Sequence, residues 1–347
     1  MKAACLTARQ TIEVRDLPEP ACPADGLVLA MRACGVCGSD LRRWGEGPPA
    51  GVARLVQGHE LAGVVIEVGP RASRFGVGDR VAVAPDIHCG VCWYCRRGLY
   101  NLCLELKLLG ITPGLDGGFA ERVALDGAVL RNGIVHAMPE GLGWHEGALA
   151  EMLSSVLAAH EKCSTSLGET VVVLGAGPVG CLHMVVARAR GAQVMVSEPN
   201  PARRKLAERF APDVMLDPAC QDVVREVLRW TGGLGADVVI CANPVADTQA
   251  RAVEMSRRGG RIVFFGGLPK ADPVTRLDAN LIHYGERVVM GVFSYHPRFH
   301  EQALELLRRR AVDVGQFVTH VLPLSRVSEA FAIAAAGDAL KVVVESD

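Results

Sequence analysis

The stretch that most constrains this chain is VVVLGAGPVG, residues 171–180. A run of β-branched residues asks for burial on both faces of a strand, and here it breaks into three closely spaced glycines. Such a strand must turn sharply into a helix whose first N–H groups face an anion. Gly175 permits the tight turn, Gly177 lets a pyrophosphate approach bare backbone, and Gly180 brings helix and strand into close packing, with Pro178 and Val179 completing the turn. A second apolar strand, VMVSE, follows the helix and ends in Glu198, where a carboxylate can accept from an adenosine ribose. A dinucleotide site is therefore expected. Glu198 repels a 2′-phosphate and favours NAD over NADP, while Arg203 is placed to pack on adenine or to receive such a phosphate. Pro178, His183 and the glycines interrupt the apolar run, so it does not read as a membrane span.

From Val171 onward strands alternate with helices: VVVLG, VMVSE, VMLD, ADVVICA, RIVFFGG and RVVMGVF, with helical segments between them. That alternation predicts a doubly wound parallel sheet with crossovers on both faces. Phe265 and Gly266 close the fifth strand. Residues 1 to about 150 are different in character, with short Val-rich runs punctuated by Gly and Pro roughly every ten residues and no long amphipathic helix. A mostly β domain is expected there. The last strand, residues 341–345, lies so far past the sixth that it is expected to return to the first domain. The expected boundaries are 1–153 with 294–347 for the β-rich domain and 154–293 for the dinucleotide domain.

At 347 residues the chain exceeds one compact core. A net charge of −1 with no basic tract gives no reason to expect nucleic acid or an anionic membrane as partner. The N-terminus alternates like a strand rather than carrying a leader, and twelve cysteines in such a chain point to metal thiolates and buried thiols in the cytoplasm rather than to disulfides.

Two constellations could hold metal. Cys89, Cys92, Cys95 and Cys103 lie within one short lobe, and four thiolates fill a tetrahedral ion completely. Zinc in a structural role is expected there, in preference to two disulfides or an iron–sulfur cluster, with Arg96 and Arg97 near enough to offset the charge. The second set is dispersed: Cys34-Gly-Val-Cys37-Gly-Ser39-Asp40, then Gly58-His59-Glu60. Singly, these are ordinary core residues. Beside a nicotinamide site, Cys, His and carboxylate form the donor set of an open zinc site, with a position left for a substrate oxygen.

In order along the chain, GHExxG at 58–63, GDRV at 78–81, the four-cysteine lobe, DGGFAE at 116–121 and GAGPVG at 175–180 resemble the zinc-dependent medium-chain alcohol dehydrogenases, and the likeness spans essentially the whole chain. GVCGSD and the Glu151-Met152-Leu-Ser154 segment are most similar to the sorbitol (L-iditol) and threonine dehydrogenase branch. The resemblance implies a GroES-like catalytic domain joined to a Rossmann domain and two zinc ions per chain. It implies a catalytic zinc on Cys37, His59 and Glu60, with Glu151 as an alternate ligand, and a homodimer or homotetramer formed through the sheet edge at residues 287–293. Relatives carry a His five residues after the zinc Cys as a proton relay. Here that residue is Arg42, which stays protonated, leaving Ser39 and water, or a role for Arg42 in binding an acidic group of the substrate or the cofactor.

The function implied is hydride transfer from a secondary alcohol, most naturally a polyol, sugar alcohol or cyclitol, to NAD, giving a ketone. L-threonine 3-dehydrogenase is the nearest alternative, and a non-catalytic NAD-binding or sensing protein the alternative from another class. Trp44 and Phe119 could line the pocket or belong to the core.

Overall fold

The computed structural model describes all residues, 1–347. Its chain divides into two compact units, residues 1–154 with 294–347, and residues 155–293.

In the second unit the Val- and Ile-rich runs form six parallel strands. Their order is Val214–Leu216, Gln193–Ser197, Thr170–Leu174, Ala236–Cys241, Ser256–Phe264 and Val288–Gly291. In chain order that is 3-2-1-4-5-6, the doubly wound arrangement in which the order reverses beside the first strand. The reversal opens a crevice at the carboxyl end of Thr170–Leu174, where the glycine turn lies. Val172, Leu174, Met195, Val239 and Ile262 fill one side of the sheet core. The connecting helices are capped as their sequences require. Asn200 accepts from Ala202 and Arg203 N–H, Asp222 from Val224 and Arg225 N–H, and Pro178 occupies the first turn after Gly177.

The first unit is built on a central strand, Leu27–Gly35. It pairs antiparallel with Glu60–Val68 on one side and with Arg122–Leu125 and Lys341–Glu345 on the other. The expected late strand is thus seated inside this sheet, between Leu27–Gly35 and Val318–Pro323. A smaller three-stranded sheet joins Thr11–Asp16, Lys2–Ala8 and Leu55–Val56. Trp44 packs against Phe331 with ring centroids 6.2 Å apart, and Phe119 meets the same ring edge-on at 5.5 Å and is fully buried; both belong to the core.

A 19-residue helix, Trp144–Lys162, begins at the end of the segment in which no long amphipathic helix is expected, and it is not amphipathic. Its sequence, rich in Ala, Leu and Ser, has no polar stripe, and residues 147–160 are buried or half-buried on every side, so the period-3.6 pattern that marks a surface helix is absent.

Candidate active site and metal centres

Strand register assembles the dispersed donor set. Gly35 lies opposite Glu60 in the antiparallel pair, which places the end of Leu27–Gly35 beside the start of Glu60–Val68. The chain then turns at Cys37, the N-cap of the helix Gly38–Glu46, so that Cys37, His59 and Glu60 converge with their donor atoms all within 4.8 Å of one another. A Cβ at position 35 would sit 1.9 Å from Glu60 Oε2, so any larger residue there would displace the Glu60 carboxylate and Lys341 beside it. Glu151 is not among the atoms that close to this distance; its Oε1 accepts from the Tyr295 hydroxyl at 3.2 Å. Loss of hydration pushes the Glu151 pKa up to about 7, with Glu60 adding to the rise and His59 opposing it.

The surroundings of the set suit a cation. His59 Nδ1 is buried without a hydrogen-bond partner, and Glu60 Oε2 faces the Lys341 ammonium alone. Ser39 Oγ lies 3.4 Å from His59 Nε2, and Asp40 Oδ1 lies 3.5 Å from Nδ1. Asp40 is fully buried and fixes the turn by accepting from Cys37 N–H at 2.9 Å. Burial alone would depress the His59 pKa, yet Asp40 and Cys37 alongside hold it well above the ordinary value. The pocket is therefore short of positive charge. Part of that need is met by Lys341, whose Nζ donates to Glu60 Oε1 at 2.6 Å and lies 2.5 Å from Oε2. Burial works against the charge on Lys341, but Glu60 raises its pKa. Cys34 differs from Cys37: it is fully buried, which drives its thiol pKa well up and leaves it inert. One thiol, one imidazole and one carboxylate with no fourth protein donor fit a zinc ion with an open position.

The lobe fits a closed site. Cys89, Cys92, Cys95 and Cys103 bring their sulfurs together, with Sγ–Sγ separations of 4.0 Å for 89–95, 3.5 Å for 92–95 and 3.9 Å for 92–103. These match the edges of a tetrahedron whose metal–sulfur bonds are about 2.3 Å long, and they are far too long for disulfides. All twelve cysteines are free thiols. Backbone N–H groups already point at sulfur, from Cys89 to Cys103 at 3.2 Å and from Cys92 to Cys89 at 3.3 Å. Amide donors of Cys95 and Leu104 lower the Cys92 pKa to about 6. Arg97 does not face the thiols; its guanidinium stacks on Trp93, 3.9 Å from the ring centre.

The glycine turn meets the requirements of a dinucleotide. Gly175 has φ +107, in the region that favours glycine. A Cβ on Gly180 would lie 1.9 Å from the Gly175 carbonyl oxygen, whereas Gly177, the N-cap of the helix Pro178–Ala189, has nothing within 4 Å of where a Cβ would be. Close packing at one glycine and open space at the other are the two tasks read from the sequence. A cavity of about 360 Å³ opens beside this turn, lined among others by Gly175, Glu198, Arg203, Asn243 and Thr248. Glu198 is buried, and its two carboxylate oxygens accept from Ala176 N–H at 2.8 Å and Asn200 N–H at 2.9 Å. It braces the glycine loop as well as bordering the cavity. Phe265 and Gly266 N–H both donate to the Cys241 carbonyl, and Phe265 meets the buried His183 ring edge-on at 4.6 Å.

Sequence reading missed Lys341, Tyr295 and Asn243. Lys341 precedes a buried run of three valines in the strand KVVVE, a signal that was available; Asn243, which ties the 243–248 loop to Leu174 through its side chain, sits in an unremarkable ANP segment.

Residues 23–140 match the alcohol dehydrogenase GroES-like domain and residues 178–309 the zinc-binding dehydrogenase family. The sorbitol dehydrogenase of Bacillus subtilis is 32% identical over 99% of this chain and 97% of its own. A 2-dehydro-3-deoxy-L-galactonate 5-dehydrogenase of Pseudoalteromonas atlantica is 33% identical over 86% of this chain and 84% of its own. Among solved structures, a zinc-binding dehydrogenase of Sinorhizobium meliloti bound to NADP is 30% identical, with a TM-score of 0.89 and coverage of 99% and 98%. The Thermus alcohol dehydrogenase TADH aligns over 100% of both chains with a TM-score of 0.92 at 26% identity. With both family regions present in order and relatives of this identity aligned end to end, the chain is an oxidoreductase that belongs to the zinc-dependent medium-chain alcohol and polyol dehydrogenases.

Proposed function

We propose that this protein oxidises a secondary hydroxyl of a polyol to a ketone with NAD as hydride acceptor. The observation that carries the reading is the three-donor set Cys37, His59 and Glu60, left open for a fourth ligand. Residues 1–153 with 294–347 act as the catalytic domain and 154–293 as the NAD-binding domain. Zinc bound by the three donors supplies Lewis-acid catalysis by making an alcohol more acidic. Ser39, beside His59, is placed to take the hydroxyl proton toward water, since Arg42 cannot accept one. Glu151, held by Tyr295, serves as a reserve carboxylate for the metal. Cys89, Cys92, Cys95 and Cys103 hold a second, structural zinc. Gly175, Gly177, Pro178, Val179 and Gly180 receive the pyrophosphate, and Phe265 and Gly266 border the nicotinamide. NAD is preferred to NADP because the Glu198 carboxylate lines the cavity that would take the adenosine, even though the Sinorhizobium relative was solved with NADP.

Polyols are favoured because relatives named for sorbitol, xylulose, arabitol phosphate and 2-dehydro-3-deoxy-L-galactonate align over 86–99% of this chain. The protein pairs with a second copy through the edge strand Val288–Gly291, flanked by exposed Tyr284 and Phe293. The test is Cys37→Ser. Turnover across polyols, cyclitols and L-threonine should fall at least a thousandfold, zinc content should drop from two to one per chain, and NAD binding measured by calorimetry should hold within about threefold. Unchanged turnover would refute the zinc mechanism.

A further inference from the structure

The helix Gly38–Glu46 starts at the metal set, with Cys37 as its N-cap and Ser39 Oγ 3.4 Å from His59 Nε2. Side chains three and four positions further along a helix stand beside the first, with Cβ atoms roughly 5–6 Å away. After Ser39 those positions are Arg42 and Arg43. Arg43 is held by Glu46 at 3.1 Å. Arg42 is exposed and, unlike its neighbour Arg43, makes no ion pair or side-chain hydrogen bond. Asp40 cannot balance Arg42, because it is buried and occupied by Cys37 N–H and Gln57. The face that leads away from Ser39 therefore carries a guanidinium without a counter-ion.

We propose that Arg42 selects a polyol with an anionic end, a carboxylate or a phosphate, gripping that end while the hydroxyl to be oxidised lies at Ser39. A guanidinium presents two parallel N–H donors to such a group and stays charged at any working pH. A neutral polyol gives it nothing to hold. The inference rests on the dehydrogenase reading above and names the substrate class for that same site.

The test assays zinc-loaded enzyme with five- and six-carbon polyols, the matching aldonates and the matching terminal phosphates. One anionic group should exceed the neutral polyols in kcat/KM by at least tenfold, and which one does so identifies the anion. Arg42→Ala should raise KM for the preferred anionic substrate roughly 10- to 100-fold, with Arg42→Lys in between. That increase should be at least ten times larger than for any neutral polyol. In a readout without turnover, calorimetric titration of the same aldonates and phosphates into NADH-loaded protein should show the same loss of affinity in the Ala variant. Neutral polyols preferred, with Arg42→Ala affecting all substrates alike, would overturn the selection and leave the dehydrogenase standing. A rise in KM confined to NAD would assign Arg42 to the cofactor and overturn it too. If no compound turns over, the dehydrogenase reading fails, and the calorimetric comparison alone decides for or against Arg42.

Discussion

Lys341 shows how much a single residue in this site depends on its neighbour. A buried lysine paired with the carboxylate proposed as a zinc ligand is tolerable because the attraction between the two ions offsets part of their desolvation cost. Lys341→Met leaves Glu60 unpaired in metal-free protein, where a loss of about 3–5 kcal/mol is expected. With zinc bound the carboxylate has another cation, so the loss should shrink. Urea unfolding of metal-free and zinc-loaded variant checks this, and equal losses in the two forms would show that Glu60 does not share its charge with metal. At the same scale, the sequence revealed the donor types but not their partners. Cys37, His59 and Glu60 were legible because only a few chemistries need those residues near a nucleotide site. The Lys341–Glu60 contact spans 281 positions and depends on strand register, which no local pattern encodes.

At the scale of elements, the six parallel strands were legible because each contains a short apolar run with turn residues nearby, although Ser256–Phe264 begins with the polar and glycine residues SRRGGR before its run. The helix Gly38–Glu46 was not, since GSDLRRWGE is short and mostly polar, with only Leu41 and Trp44 to pack on the core. Trp144–Lys162 escaped for the opposite reason, being apolar on all sides. The glycine turn allows a sharper prediction. Gly180→Ala forces a methyl against the Gly175 carbonyl, so the helix Pro178–Ala189 must move away from its strand. A stability loss of about 1–3 kcal/mol and at least a tenfold weaker NAD affinity are expected, read by thermal unfolding and calorimetry. Gly177→Ala meets open space in the protein itself, so it should leave stability nearly unchanged and weaken NAD alone.

Across the whole molecule, buried histidines set an acid limit. In one unit His160 Nε2 meets His183 Nδ1 at 3.2 Å; in the other His136 Nδ1 meets His300 Nδ1 at 2.9 Å. Burial lowers all four pKa values, to about 3 for His160 and His300, with Arg190 adding to the effect at His160 and His136 at His300. A histidine whose folded pKa is depressed binds its proton more readily in the unfolded chain, so stability is full above about pH 6.5 and falls as pH drops toward 3. At pH 5 each of His160 and His300 should cost on the order of 2 kcal/mol relative to pH 7. Urea midpoints across that range should decline, and His300→Gln should flatten the slope; an unchanged slope would remove His300 from the account.

The seating of Lys341–Glu345 inside the first sheet fixes an order of events in the life of the chain. The strand that flanks Leu27–Gly35 and carries the counter-ion of Glu60 emerges only after the entire nucleotide-binding segment has been synthesised. On the ribosome, the dinucleotide unit has all its strands while the metal-binding sheet still lacks an interior one. Proteolytic trimming before residue 341, harmless at most termini, would here remove a strand from the middle of a sheet.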